Sequence, residues 1–225
     1  MSLIPKELFS FFKKLEKNNN RVWFDENKSH FKEIESQVKF FGENLRQKLE
    51  LSEQVDKVKL FRIYRDVRFS DDKTPYKSHF GISFHREKPR YRGGYYIHLK
   101  PNDSFIAVGF WNPNKEDLLR IRKELELDPL EFRELMDKTD FKNTWGLLQG
   151  DEVKTAPRGF SKEDQNIDLI RKKMFLFSKK YSNKEVLELN FVDQVAKDFI
   201  AVRPFLDYMS SVLTTDLNGV SLFDK

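Results

Sequence analysis

The chain has 225 residues, 22 of them Phe and none Cys, and its 41 Lys and Arg against 36 Asp and Glu leave a formal net charge of +5. That length is ample for a buried core, and the missing cysteines exclude disulfides and thiolate zinc sites. The two signs of charge are interspersed, so the excess behind a pI ≈ 9.1 describes an ordinary mixed surface more than a nucleic-acid footprint.

No apolar run approaches the roughly 18 residues of a membrane span. The opening MSLIPKELFSFF is too short and too charged for a secretory leader. A cytoplasmic protein with no membrane partner is expected. The organisation expected is a single α+β domain over residues 1–225, with an antiparallel β-meander core flanked by helices. Helices would occupy 5–50, the sheet 55–111, and a helical and mixed part 115–225.

In chain order, residues 5–17 carry Leu8, Phe11, Phe12 and Leu15 on one stripe, with Pro5 in the first turn. Asn18, Asn19 and Asn20 end that helix. Arg21 to Phe24 link it to a second helix, capped by Asp25 and running from Glu26 to Leu49, with Phe31, Ile34, Val38, Phe41 and Leu45 at helical spacing.

Next comes KLFRIYRDVRFSDDKTPYKSHFGISF, Lys59 to Phe84. Phe61, Ile63, Val67 and Phe69 alternate with Arg62, Tyr64, Asp66 and Arg68, the pattern of a strand with one apolar and one charged face. Ser70 to Lys77 is rich in turn formers around Pro75, and Phe80, Ile82 and Phe84 alternate again, so two strands joined by a basic loop are predicted. Tyr95–Lys100, a turn at 101–104 and Phe105–Trp111 complete a four-stranded meander. Helices follow over 115–126 and from Asp128-Pro129 to Asp137, then strand-like pieces over 145–155. Ser161 and Asp164 match a capping box before a helix at 167–172. Phe175–Tyr181 reads as a last strand, Ser182-Asn183 cap a short helix, and a long helix over 193–213 is expected to be kinked or split by Pro204.

The run RIYRDVRFSDDKTPYKSHFG resembles the signature of domain-of-unknown-function family 2461. Asn18-Asn19-Asn20-Arg21 with Trp23-Phe24, Gly94 to Leu99, and Pro157 to Phe160 match further pieces of it. The resemblance covers nearly the whole chain and implies one α+β domain; it carries no activity, cofactor or partner with it.

The chemistry of the central stretch suggests a basic, aromatic-lined site for a phosphate-bearing or other anionic small molecule. Arg62, Arg65, Arg68, Lys73 and Lys77 supply charge, with Arg21 nearby, since guanidinium forks and ammonium groups recognise phosphate and carboxylate. Tyr64, Tyr76 and Trp23 would stack on or wall the ligand. Asp66 is the candidate general base or orienting carboxylate, and His79 or His98 the proton-transfer group. The same alternation fits an ion-pair network in a non-enzymatic protein-interaction module. Nucleic acid is a further alternative, on the pI and on Arg90 and Arg92. No metal site is expected from the four His, and the P-loop and dinucleotide fingerprints are absent.

Overall fold

The computed structural model describes residues 4–51 and 55–223. In chain order the elements are α1 Glu7–Lys17, α2 Arg21–Glu26, α3 Lys28–Glu50, β1 Val55–Leu60, β2 Phe80–Arg86, β3 Gly94–Leu99 and β4 Ser104–Phe110. Then come α4 Lys115–Leu127, α5 Leu130–Asp137, α6 Thr139–Trp145, α7 Ile167–Ile170, β5 Phe175–Tyr181, α8 Asn183–Val186, α9 Phe191–Ala201 and α10 Arg203–Thr214. The described strands form one antiparallel sheet in the order β1-β2-β3-β4-β5, and the fold class is α+β. The meander predicted over the first four strands is present, and β5 joins it beside β4 after the helices of the connection.

Local chemistry moves several boundaries. Arg21–Glu26 is helical rather than a linker, because the Asn20 side chain accepts the Trp23 amide at 3.0 Å and caps α2. Asn27, not Asp25, stands between α2 and α3. The predicted strand over 59–69 stops at Leu60. Beyond it the backbone contacts between the two arms are a Tyr64–Tyr76 bridge and three amide bonds, Phe61 to Gly81, Arg65 to Pro75 and Lys77 to Ile63. Asp66 accepts the Arg68 amide and Asp72 the Thr74 amide, which are side-chain turns that compete with a ladder. Phe69 is consequently 97% exposed instead of facing the core.

Later in the chain, residues 149–152 make only isolated bridges, to Leu176 and Lys172, and α6 occupies the start of the stretch read as strand. The Ser161–Asp164 box does not form. Ser161 accepts from Glu163 instead, and α7 begins beyond Asn166. The box at Ser182 and Glu185 does form and caps α8. Pro204 sits in the first turn of α10, so the long C-terminal helix is broken at Val202.

The chain divides into two compact units, one of Met1–Phe84, Tyr96–Ile106 and Lys180–Lys197, the other of His85–Tyr95, Ala107–Lys179 and Asp198–Lys225. In the first, Phe80 of β2 packs edge-on against Phe12 at 5.1 Å and stacks on Phe31 at 5.5 Å. Phe41 stacks on Phe191 at 5.6 Å. These contacts seat α1 and α3 against the sheet and α9 against α3. In the second, Phe205 gathers Phe132 and Phe177 at 6.0 and 5.1 Å, and Tyr95 meets Phe199 at 4.6 Å. The abundance of Phe thus goes into edge-to-face and stacked ring packing inside both cores.

Gly109 in β4 has φ +133°, and a Cβ there would overlap the Phe175 carbonyl oxygen of the neighbouring strand. Backbone cannot retreat as a flexible side chain can. Gly109→Ala is therefore expected to lower unfolding free energy by about 2 kcal/mol or more in urea titration. A variant as stable as the wild type would show that the two strands separate without cost.

Candidate functional site

The two arms between β1 and β2 define a cleft in the first unit. Its position depends on Asn19, in the turn between α1 and α2. The Asn19 side-chain amide donates to the Tyr76 carbonyl at 2.9 Å and accepts the Tyr76 amide at 3.2 Å. The Tyr76 ring is turned inward, 4% exposed and stacked on Phe24 at 4.0 Å. Burial, then the charges of Asp25 and Tyr64, raise its phenol above the ordinary value. Fixed at this point, the arm from Thr74 to His79 forms one wall of an open cleft of about 600 Å³. Glu16, Asn19, Arg65, Asp66, Asp72 and Lys100 complete the lining.

Within the loop, charges are matched. Arg65 donates to Thr74 Oγ1 at 2.8 Å and pairs with Asp72. The amide and hydroxyl of Thr74, followed by Arg65, hold the Asp72 carboxyl down at about 2. Arg68 grips Asp66 through Nε at 2.9 Å and Nη2 at 2.6 Å. That bond lowers the Asp66 carboxyl, so Asp66 is an ionised, tethered group. Lys73 reaches the Val67 carbonyl at 3.0 Å.

The arm after the loop is different. Lys77 Nζ donates only to the Arg62 carbonyl, at 3.1 Å. Burial, then Arg62, Arg65 and Lys59, push its ammonium below its ordinary value. Among the described residues no carboxylate pairs with Lys77, Lys100 or Arg62. His79 lies against His98, ring centroids 4.2 Å apart. Its imidazole is lowered to about 4, first by burial and then by His98, Lys77, Lys100 and Arg65. Burial also lowers His98 to about 4, with Lys100 adding to the shift and Asp103 opposing it. Both imidazoles are neutral at pH 7. The Tyr96 hydroxyl hydrogen-bonds His98 Nδ1 at 3.2 Å.

The structure thus brings Arg65, Asp66, Tyr76, Lys77 and His79 together at the cleft, with Tyr76 contributing from a buried position. His98 stands behind His79. Arg62, Tyr64, Arg68 and Lys73 belong to the surrounding arms and do not line it. Trp23 packs on Phe11 at 5.7 Å, and Arg21 opens α2 beyond the cleft's lining. Arg92, in the loop considered for nucleic acid, is paired with Asp117. Six lining residues, Glu16, Asn19, Asp72, Thr74, Ser78 and Lys100, are not among the predicted site residues. Lys100 was legible from the alternation it shares with Tyr96 and His98. Asn19 carried the signal of its polar run, but its partner Tyr76 lies 57 positions away. No group of three or more His, Asp or Glu among the described residues is placed to hold a metal ion, and no described helix is long and apolar enough to cross a membrane.

The family model described as "Conserved hypothetical protein (DUF2461)" matches residues 7–208. The chain belongs to the DUF2461 family. The matched span includes the loop and arms that form the cleft. No curated protein and no solved structure matches the chain.

Because the folded protein holds both imidazoles near 4, below the ordinary 6.5, the unfolded chain binds more protons between those values. The stability these groups contribute is present above about pH 6.5 and is lost as pH falls through about 4. Unfolding free energy should therefore drop from pH 7.5 to 4.5, and less steeply in a His79→Gln, His98→Gln double variant, by up to about two protons of slope. Parallel profiles for wild type and variant would mean that the imidazoles ionise normally in the folded chain.

Proposed function

We propose that the cleft binds a phosphate-bearing or other anionic ligand in the cytoplasm. The reading is carried by one observation: Lys77 and Lys100 line it without a carboxylate partner, although acidic side chains stand nearby in the same wall. Clustered ammonium groups repel one another, and a half-buried one is short of solvation. An entering anion relieves both conditions and gains charge-assisted hydrogen bonds. Arg62 adds positive potential at the rim. Asp66 and Asp72 are already satisfied by Arg68 and Arg65, and they serve to keep the loop in place. His79, held neutral by burial and the neighbouring cations, can hydrogen-bond a bound ligand, and its lowered pKa makes it a weak proton acceptor.

The closed set Arg65–Asp72–Thr74 and Arg68–Asp66 supports a second reading. In it the arginine-aspartate pattern is structural and the protein is a non-enzymatic interaction module. The two readings separate experimentally. In calorimetric titration with inorganic pyrophosphate, Lys77→Ala and Lys100→Ala should each weaken binding about tenfold or more at unchanged fold. Arg68→Ala, which loses an exposed pair, should leave both binding and stability nearly unchanged. Wild-type protein that takes up neither pyrophosphate nor sugar phosphates would remove the first reading.

A further inference from the structure

Aromatic rings gather on one face of the sheet in the first unit. Along β3, Ile97 and Leu99 point into the core, and Tyr96, His98 and Lys100 occupy the opposite face. Phe105 of β4 lies against both rings, 6.0 Å from Tyr96 and stacked on His98 at 4.7 Å and 13°. Phe61, just past β1, meets Tyr96 edge-on at 6.2 Å. Each of these side chains is only half-buried. Gly81 lets Tyr96 lie along the sheet: a Cβ at Gly81 would stand 2.6 Å from the Tyr96 hydroxyl and 3.1 Å from its Cε2. The result is a row of rings crossing the sheet from the end of β1 to β4.

Cations border the row. Lys59 Nζ is 5.1 Å from the Phe61 centroid and Lys77 Nζ 5.8 Å from the same ring. Lys100, which follows β3 on the same face, belongs to the cleft that also holds Lys77 and His79. The ring row and the cation-lined cleft are therefore contiguous through Lys77 and His79.

We infer that this face binds single-stranded nucleic acid, with bases stacked on Phe61, Tyr96 and Phe105 and phosphates passing Lys59, Lys77 and Lys100. The inference rests on the anion-binding reading of the cleft and names its ligand class. Half-exposed rings on a sheet bordered by lysines are the combination that unpaired bases and their backbone require, and every base offers a π-face to it. Centroids about 6 Å apart in succession offer stations for more than one base, which favours an oligonucleotide over a mononucleotide. A duplex keeps its bases stacked inside and has nothing to offer the rings.

The test is fluorescence anisotropy of the full chain with end-labelled single-stranded RNA and DNA about twelve nucleotides long, and with the corresponding duplex, over a range of salt. Single strands should bind, duplex markedly less, and affinity should fall with salt. Phe105→Ala and Phe61→Ala should each weaken single-strand binding about tenfold. Phe105→Leu should do so while keeping apolar packing, and thermal melts run beside each variant separate lost stacking from lost fold. Lys77→Ala should reduce the salt slope by about one contact. Duplex bound as tightly as single strand, or Phe105→Leu retaining full affinity with an unchanged melt, would overturn the inference. Wild type that binds pyrophosphate but no oligonucleotide would overturn it and leave the anion-binding cleft standing. Oligonucleotide binding with an unaltered salt slope in both Lys77→Ala and Lys100→Ala would overturn it as well, because the backbone would then not pass the cleft.

Discussion

The two hydrogen bonds between the Asn19 side chain and the Tyr76 backbone are the constraint on which the cleft depends. The chain between β1 and β2 has no continuous ladder, so its backbone polar groups need partners from elsewhere. An amide side chain presents a donor and an acceptor in one plane, and Asn19 uses both as a substitute for one residue of a neighbouring strand. With Tyr76 fixed and its ring stacked on Phe24, the directions of Thr74, Lys77 and His79 follow. The polar turn after α1 thereby acts on a loop distant in sequence.

From that anchor the arms divide into two electrostatic regimes. The loop over residues 65–74 is internally neutralised, carboxylate to guanidinium, and exposed to water. Such pairs shape a loop and contribute little net stability. The residues that follow are less solvated and unequal in charge: Lys77 and Lys100 lie by two neutral imidazoles and, among the described residues, pair with no carboxylate. Burial disfavours charge on the histidines, and the neighbouring cations reinforce it.

Much of this was legible in the sequence where a residue's role is settled by near neighbours. The helix of Leu8, Phe11, Phe12 and Leu15, the alternation of β2 and β3, and the break at Pro204 all come from spacing and backbone chemistry that act over a few positions. The region from Phe61 to Phe69 was misread because its alternation is genuine while its aspartates form turns. Asp66 and Asp72 bond backbone amides two residues on, and that preference defeats the strand. The candidate site was legible in its charges but not in their partners. Nothing local distinguishes Arg68, which is tied to Asp66, from Lys77, which has no acid. Tyr76 likewise reads as a stacking platform until Phe24 is found against it.

The ring of Tyr96 resting on Gly81 has a consequence for how this chain can change over generations. The two positions share one volume across adjacent strands, since the hydroxyl and ring occupy the space a side chain at 81 would need. Position 81 is the constrained one: a larger residue there requires the Tyr96 ring to shift or to have become small, and a lineage that loses the ring gains freedom at the glycine. Sequences in which both positions have switched would mark descendants that gave up this face of the sheet.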